Sequence, residues 1–106
     1  MTLFAWIVFL AAAILEVGGD AIIRRGLRGG IVWFIVLGFV TLGCYGVVVN
    51  TVKWDFSRLL GVYVAVFAVV SVLTGRFVFK ETVPPTTWIG LAIIVLGGAV
   101  IQAGHG

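Results

Sequence analysis

Charged side chains are scarce in this chain. Only 10% of its 106 residues are Asp, Glu, Lys or Arg, whereas soluble globular domains carry about 25%. Hydrophobic residues make up 62% of the sequence, so too few polar side chains are present to cover a water-facing surface. This composition excludes an ordinary soluble domain.

Residues that bind metals or form disulfides are also rare. The chain has one cysteine, Cys44, and one histidine, His105, which are too few for a zinc ligand set or an intramolecular disulfide. A phosphate-binding loop with the Gly-Lys-Ser/Thr signature is absent, so ATP hydrolysis by this chain is excluded. We therefore expect neither an enzyme nor a protein with a bound metal or cofactor.

Long apolar runs take the place of charge. A helix that crosses a membrane needs about 20 mostly apolar residues, and the sequence contains four such runs separated by short polar turns. We predict an all-α integral membrane protein, a single four-helix transmembrane domain over residues 1–106. The predicted helices cover residues of about 2–23, 31–52, 59–79 and 86–102.

The turns between these runs carry most of the basic residues. Residues 24–30 form an Arg- and Gly-rich first turn, and Pro84 and Pro85 end the third, because proline lacks a backbone N–H and restricts the residue before it. The first and third turns lie on one side of the membrane and carry five Lys and Arg residues. The second turn and the two termini lie on the other side and carry two, which favours both termini outside. The net charge of +3 lies at these ends rather than on one basic face, so we expect no nucleic-acid partner.

Glu16 lies midway along the first predicted helix. A charged group at the bilayer centre costs about 2.5–3.5 kcal/mol on insertion scales, and such residues usually line cavities that bind ions or substrates. Burial also favours the protonated form of a carboxyl group, which lets it exchange a proton for a cation. Asp20 lies one turn further along the same face, and we count both Glu16 and Asp20 among the candidate proton- and substrate-binding residues. Arg24 follows one turn after Asp20, so we expect those two to pair. The alternative is that the acids pair with Arg24 or Arg25 only to stabilise packing.

Aromatic and hydroxyl side chains follow one face of the third predicted helix. Tyr63, Phe67 and Ser71 are spaced four residues apart, and Tyr45 lies on a similar stripe of the second helix. An aromatic wall opposite a carboxylate suits lipophilic or planar cations through cation–π attraction. The alternative is ordinary helix packing, with the hydroxyl groups bonded to their own backbone.

Glycines mark the fourth predicted helix. Gly90 and Gly97 are one heptad apart on the same face, and Gly98 follows directly. Because glycine permits close backbone approach in membranes, we predict that Gly90, Gly97 and Gly98 form an association surface. Four helices leave too little surface to enclose a pathway, which also favours a dimer.

Two segments carry a resemblance to a known family. The sequences EVGGDAIIR (16–24) and FKETVPPTTWIGLAIIVLGGAVI (79–101) resemble the small multidrug resistance family of the drug/metabolite transporter superfamily, and the match covers essentially the whole chain. The resemblance puts the family's proton- and substrate-binding Glu on Glu16 and its binding-site Trp on Tyr63. It puts the family's dimer-packing small residues on Gly90, Gly97 and Gly98.

The chain departs from that family at several positions. The family's helix 3 Tyr falls on Leu60, and its flexible glycine pair falls on Ala65 and Phe67. Asp20 stands where the family commonly has a hydroxyl residue. Residues 55–67 are also similar to a sister family of small four-helix proteins.

The resemblance implies a proton-coupled antiporter of the cell inner membrane. It would export cationic or lipophilic compounds through a dimer with a shared Glu16 site, using the proton gradient and no cofactor. A homodimer is expected and a heterodimer stays open, with membrane lipid as the surroundings. Two other functions stay open: an accessory subunit of a lipid-carrier flippase, which resembles this chain in helix 4, and a non-transporting membrane assembly protein.

Overall fold

Four helices account for the regular structure in the described part of the chain. The computed structural model describes residues 2–104, and for Thr2 only the backbone; Met1, His105 and Gly106 lie outside that range. The helices are α1 (Thr2–Gly29), α2 (Val32–Val49), α3 (Phe56–Phe77) and α4 (Pro85–Ala103). Each is long and apolar enough to cross a membrane, which confirms the predicted all-α fold with four spans.

The first helix is longer than its apolar run. α1 ends at Gly29 rather than near residue 23, so the arginines of the predicted first turn are helical. Arg and Leu are good helix formers, and they continue the helix until a residue with a different backbone conformation ends it. That residue is Gly30, whose φ of 67° lies in the left-handed region that glycine adopts readily. The Ile31 N–H then donates to the Gly26 carbonyl at 2.9 Å.

The other helix ends also have local causes. α2 ends at Val49, and the Asn50 side chain donates to the Gly46 carbonyl at 2.7 Å. α3 begins at Phe56, three residues before the predicted start at Leu59. α4 begins at Pro85, a first-turn position where the missing proline N–H costs no intrahelical bond.

Contacts divide the chain into two compact units, Met1–Val52 and Lys53–Gly106. The first contains α1 packed on α2, and the second contains α3 packed on α4. Many large apolar side chains on all four helices are exposed, such as Trp33 at 78% and Leu96 at 65%. Such surfaces are suited to lipid, since the backbone polar groups of a helix are satisfied internally.

The α1–α2 pair is held by close backbone contact at two glycines. A Cβ atom added to Gly19 would lie 3.3 Å from the Gly38 carbonyl oxygen, and one added to Gly38 would lie 2.9 Å from the Gly19 carbonyl oxygen and against Ile23. A side chain at Gly38 would overlap the Gly19 backbone, and a side chain at Gly19 would require Leu42 to shift. The two helices therefore meet at the Gly19–Gly38 contact, as small residues allow in membrane proteins.

The α3–α4 pair uses small residues and one polar group. A Cβ atom on Gly98 would lie 2.7 Å from the Ala65 Cβ, and one on Gly61 would lie 2.8 Å from the Ile101 Cδ1.

At the start of α3, the Arg58 guanidinium stacks 3.7 Å from the centre of the Trp54 ring. Its Nε and Nη2 donate to the Gln102 Oε1 at 3.2 and 3.1 Å, which ties the start of α3 to the end of α4.

We expect Gly38→Ala to destabilise the α1–α2 pair. The added methyl group overlaps Ile23 and the Gly19 backbone, and overpacking of this kind costs about 1–3 kcal/mol. Thermal unfolding in detergent should show a lower midpoint. Gly43→Ala on the same helix is the control, because nothing lies within 4 Å of its Cβ position and alanine favours a helix over glycine. Equal stability of both variants would contradict the close contact.

Candidate functional site

Glu16 lies on the buried face of α1. Ala5, Phe9 and Ala12 on this face are almost completely buried, and Glu16 continues their helical spacing toward Gly19. The Glu16 side chain is half-buried. The sequence therefore places its carboxyl group on the packed side of an apolar helix.

Tyr45 is the α2 residue that the structure brings to Glu16. The Tyr45 side chain is half-buried, and it lies close enough to Glu16 for the charge of a carboxylate to reach its phenol group. Two of the predicted site residues, from different helices, therefore belong to one group. We call Glu16 and Tyr45 the carboxylate–phenol pair.

The glycine contact explains why this pair forms. A Cβ atom on Gly19 would lie 2.8 Å from the Leu42 Cδ2, so these two positions face each other. α1 and α2 run in opposite directions, so the residues that precede Gly19 in α1 lie beside the residues that follow Leu42 in α2. Glu16 lies three residues before Gly19, and Tyr45 lies three residues after Leu42. Because residues three apart share a helix face, Glu16 and Tyr45 also face each other.

Asp20 has different surroundings from Glu16. Its side chain is exposed, as is that of Arg24, and within residues 2–104 the two form no ion pair with each other. The predicted pairing of Asp20 with Arg24 is therefore wrong. A spacing of four residues makes such a contact possible but does not enforce it.

Tyr63, Phe67 and Ser71 form a second group, on α3. Tyr63 is 3% exposed, and its ring centre lies 6.3 Å from that of Phe67, with the planes tilted by 33°. The Ser71 hydroxyl donates to the Phe67 carbonyl at 2.8 Å. The aromatic residues are thus in contact along the helix, while the serine proton is used by the backbone of its own helix.

The three glycines of α4 have different surroundings. Gly98 is buried against Ala65 of α3. A Cβ atom on Gly90 or Gly97 would meet nothing within 4 Å. Gly98 therefore packs inside the chain, while Gly90 and Gly97 face open space.

Further polar contacts could not be inferred from sequence spacing. Arg58 and Gln102 are separated by 44 positions, and no local pattern links them. Among the residues that the structure describes, no three His, Cys, Asp or Glu side chains come together as metal ligands.

Four helices that are long and apolar enough to cross a membrane define a multi-pass helical membrane protein. Residues 2–105 match the family described as "Uncharacterised BCR, YnfA/UPF0060 family". The chain belongs to this family of small four-helix membrane proteins.

Similar proteins span nearly the same length. A UPF0060 membrane protein of Clavibacter sepedonicus is 37% identical over 108 residues, covering 97% of this chain and 94% of the relative. One from Desulfitobacterium hafniense is 31% identical, covering 92% and 93%. One from Bacillus subtilis is 32% identical, covering 95% and 94%. Their names establish a membrane protein and mention no transport activity, and no solved structure matches the chain significantly.

We expect Glu16 and Tyr45 to be energetically coupled. Glu16→Gln removes the charge and Tyr45→Phe removes the hydroxyl, so either change alone ends their interaction. A double-mutant cycle on unfolding free energies in detergent should give a coupling of about 0.5–3 kcal/mol, the range for neighbouring side chains that interact. The cycle of Asp20→Asn with Tyr45→Phe is the control, because Asp20 is exposed. Additive effects of Glu16→Gln and Tyr45→Phe would show that the pair is not coupled.

Proposed function

We propose that this protein is a proton-coupled transporter subunit of the inner membrane. It exports cationic or lipophilic compounds by antiport, through a dimer with a shared Glu16 site, as the resemblance to small multidrug resistance proteins implies. The observation that supports this most is the carboxylate–phenol pair. A half-buried acid beside a phenol group, on the packed face of an apolar helix, suits reversible binding of a proton or a cation.

The pair supplies both parts of an exchange mechanism. Glu16 holds either a proton or a cation, because one carboxylate cannot carry both. Tyr45 offers a hydroxyl group to the charged carboxylate and an aromatic face to an organic cation. Release of one occupant is therefore the condition for binding the other, and this competition couples the two flows.

A dimer would bring two such sites together. The open glycines Gly90 and Gly97 allow another helix to approach α4 closely. We favour an antiparallel homodimer, since inverted repeats give two equivalent access states around one central site. The unequal distribution of Lys and Arg favours one orientation, and a heterodimer with an oppositely oriented chain would satisfy that bias.

Replacing Glu16 should abolish coupled transport. In proteoliposomes with an imposed pH gradient, the wild-type protein should move members of a panel of guanidinium, quaternary ammonium and polyamine compounds. Glu16→Gln should reduce this flux to that of protein-free liposomes, because no proton can be exchanged. Binding of the transported compound to wild type should weaken as the pH falls, since protons compete for the carboxylate.

Asp20→Asn is the matched control, because it removes an exposed acid one turn away on the same helix. It should keep most of the flux. Wild-type flux in Glu16→Gln would refute the mechanism. If the folded wild-type protein moves no compound in the panel, the accessory-subunit or assembly function is favoured instead.

Replacing Gly97 should weaken the dimer. Gly97→Leu places a large side chain on the open face of α4 and prevents close helix approach, so light scattering in detergent should show more monomer, with flux lost in proportion. Gly43→Leu on α2 is the control, because its position is equally open but lies on another helix. A dimeric and active Gly97→Leu protein, with crosslinks placing α4 against lipid, would contradict the proposed surface.

A further inference from the structure

A cavity of about 240 Å³ lies where the third turn meets α3 and α4. One water needs only about 10–15 Å³, so the cavity has room for a small organic molecule. Its polar lining consists of one carboxylate and three hydroxyl groups, from Glu81, Ser71, Thr82 and Thr87. All of these residues belong to the second compact unit, and Glu16 and Tyr45 do not line the cavity.

The turn holds Glu81 over the end of α3. Lys80 has a φ of 56°, an uncommon left-handed conformation for a residue other than glycine, and it returns the chain toward the helix. The Glu81 N–H then donates to the Gly75 carbonyl at 2.9 Å. The Glu81 Oε1 lies 2.6 Å from the place that a Cβ atom on Gly75 would occupy. A methyl group at residue 75 would therefore displace the carboxylate from this position.

The one charged side chain in the lining of this cavity is a carboxylate, which favours a positive ligand. Glu81 contributes a full negative charge, while the half charges at the C-terminal end of α3 and the N-terminal end of α4 have opposite signs and largely cancel. Arg76 and Lys80 are exposed, and within residues 2–104 neither forms an ion pair with Glu81. The Ser71 proton is donated to the Phe67 carbonyl, so its oxygen keeps acceptor capacity for a ligand.

The lining also selects among cations. Calcium takes 6–8 oxygen ligands, commonly including several carboxylates, whereas Glu81 is the only acid in this lining. The remaining wall includes apolar side chains from Val72, Val83 and Pro84. A carboxylate and hydroxyl groups beside apolar side chains suit an ammonium group that carries a short alkyl chain.

We infer that this cavity is a second cation-binding site, which takes a small alkylammonium ion. The ammonium group is bound by Glu81 and the hydroxyl oxygens, and the alkyl chain lies against the valine and proline side chains. The site differs from the carboxylate–phenol pair and does not depend on transport.

The test is a titration with n-butylammonium in the Glu16→Gln background, so that the proposed transport site cannot contribute. Amide ¹H–¹⁵N shifts of the protein in zwitterionic nanodiscs should change saturably at Gly75, Glu81 and Thr87. Neutral n-butanol should produce no such saturable change. Because binding here does not require Glu16, the result stands whether or not the transport proposal is correct.

Two variants and two matched controls make the test specific. Glu81→Gln should weaken n-butylammonium binding at least tenfold, and Gly75→Ala should weaken it several-fold, because the methyl group displaces the carboxylate. Asp55→Asn changes the net charge equally in another turn, and Gly90→Ala adds a methyl group in open space; both should bind as the background protein does. Unchanged affinity in a folded Glu81→Gln protein, or shifts that stay linear with concentration, would overturn the inference.

Discussion

Close backbone contact between neighbouring helices is the constraint on which the arrangement of this protein depends. Lipid gives helices little hydrophobic reason to associate, so van der Waals packing between small residues matters most. At the Gly19–Gly38 contact, a methyl group on Gly38 would collide with Ile23 and the Gly19 backbone, and a methyl group on Gly19 would press against Leu42. The same contact sets the register that brings Glu16 to Tyr45. Packing and site chemistry on α1 and α2 therefore have one structural origin.

The sequence predicts that the four helices exist better than it predicts where they end or which side chains pack together. Apolar runs identify all four spans, because a membrane requires that length and composition. The sequence does not mark the end of α1, since charged residues that are soluble in the headgroup layer are also good helix formers. Only the conformation of Gly30 decides where that helix stops.

The same limit applies to individual site residues. Glu16 and Tyr45 could be selected by residue type and helical spacing, and the structure brings them together. Gly97 and Gly98 are chemically identical neighbours, and only the position of Ala65 distinguishes the packed glycine from the open one. Helical spacing allows a contact between Asp20 and Arg24 that is not formed, because a separation of one turn does not by itself force two exposed side chains together. The cavity at Glu81 depends on the backbone conformation of Lys80, which the sequence does not signal.

The unexpected length of α1 has a consequence for the depth of Glu16. Its 28 residues give a helix about 42 Å long at 1.5 Å per residue, longer than the hydrocarbon layer of about 30 Å. The basic residues from Arg24 onward can therefore stand among the lipid headgroups while the helix remains continuous. Glu16 precedes Arg24 by eight positions, or about 12 Å along the axis. With Arg24 at the headgroup level, the continuous helix fixes the depth of the Glu16 carboxyl group. That depth is near the midplane of the membrane, at similar distances from both aqueous phases.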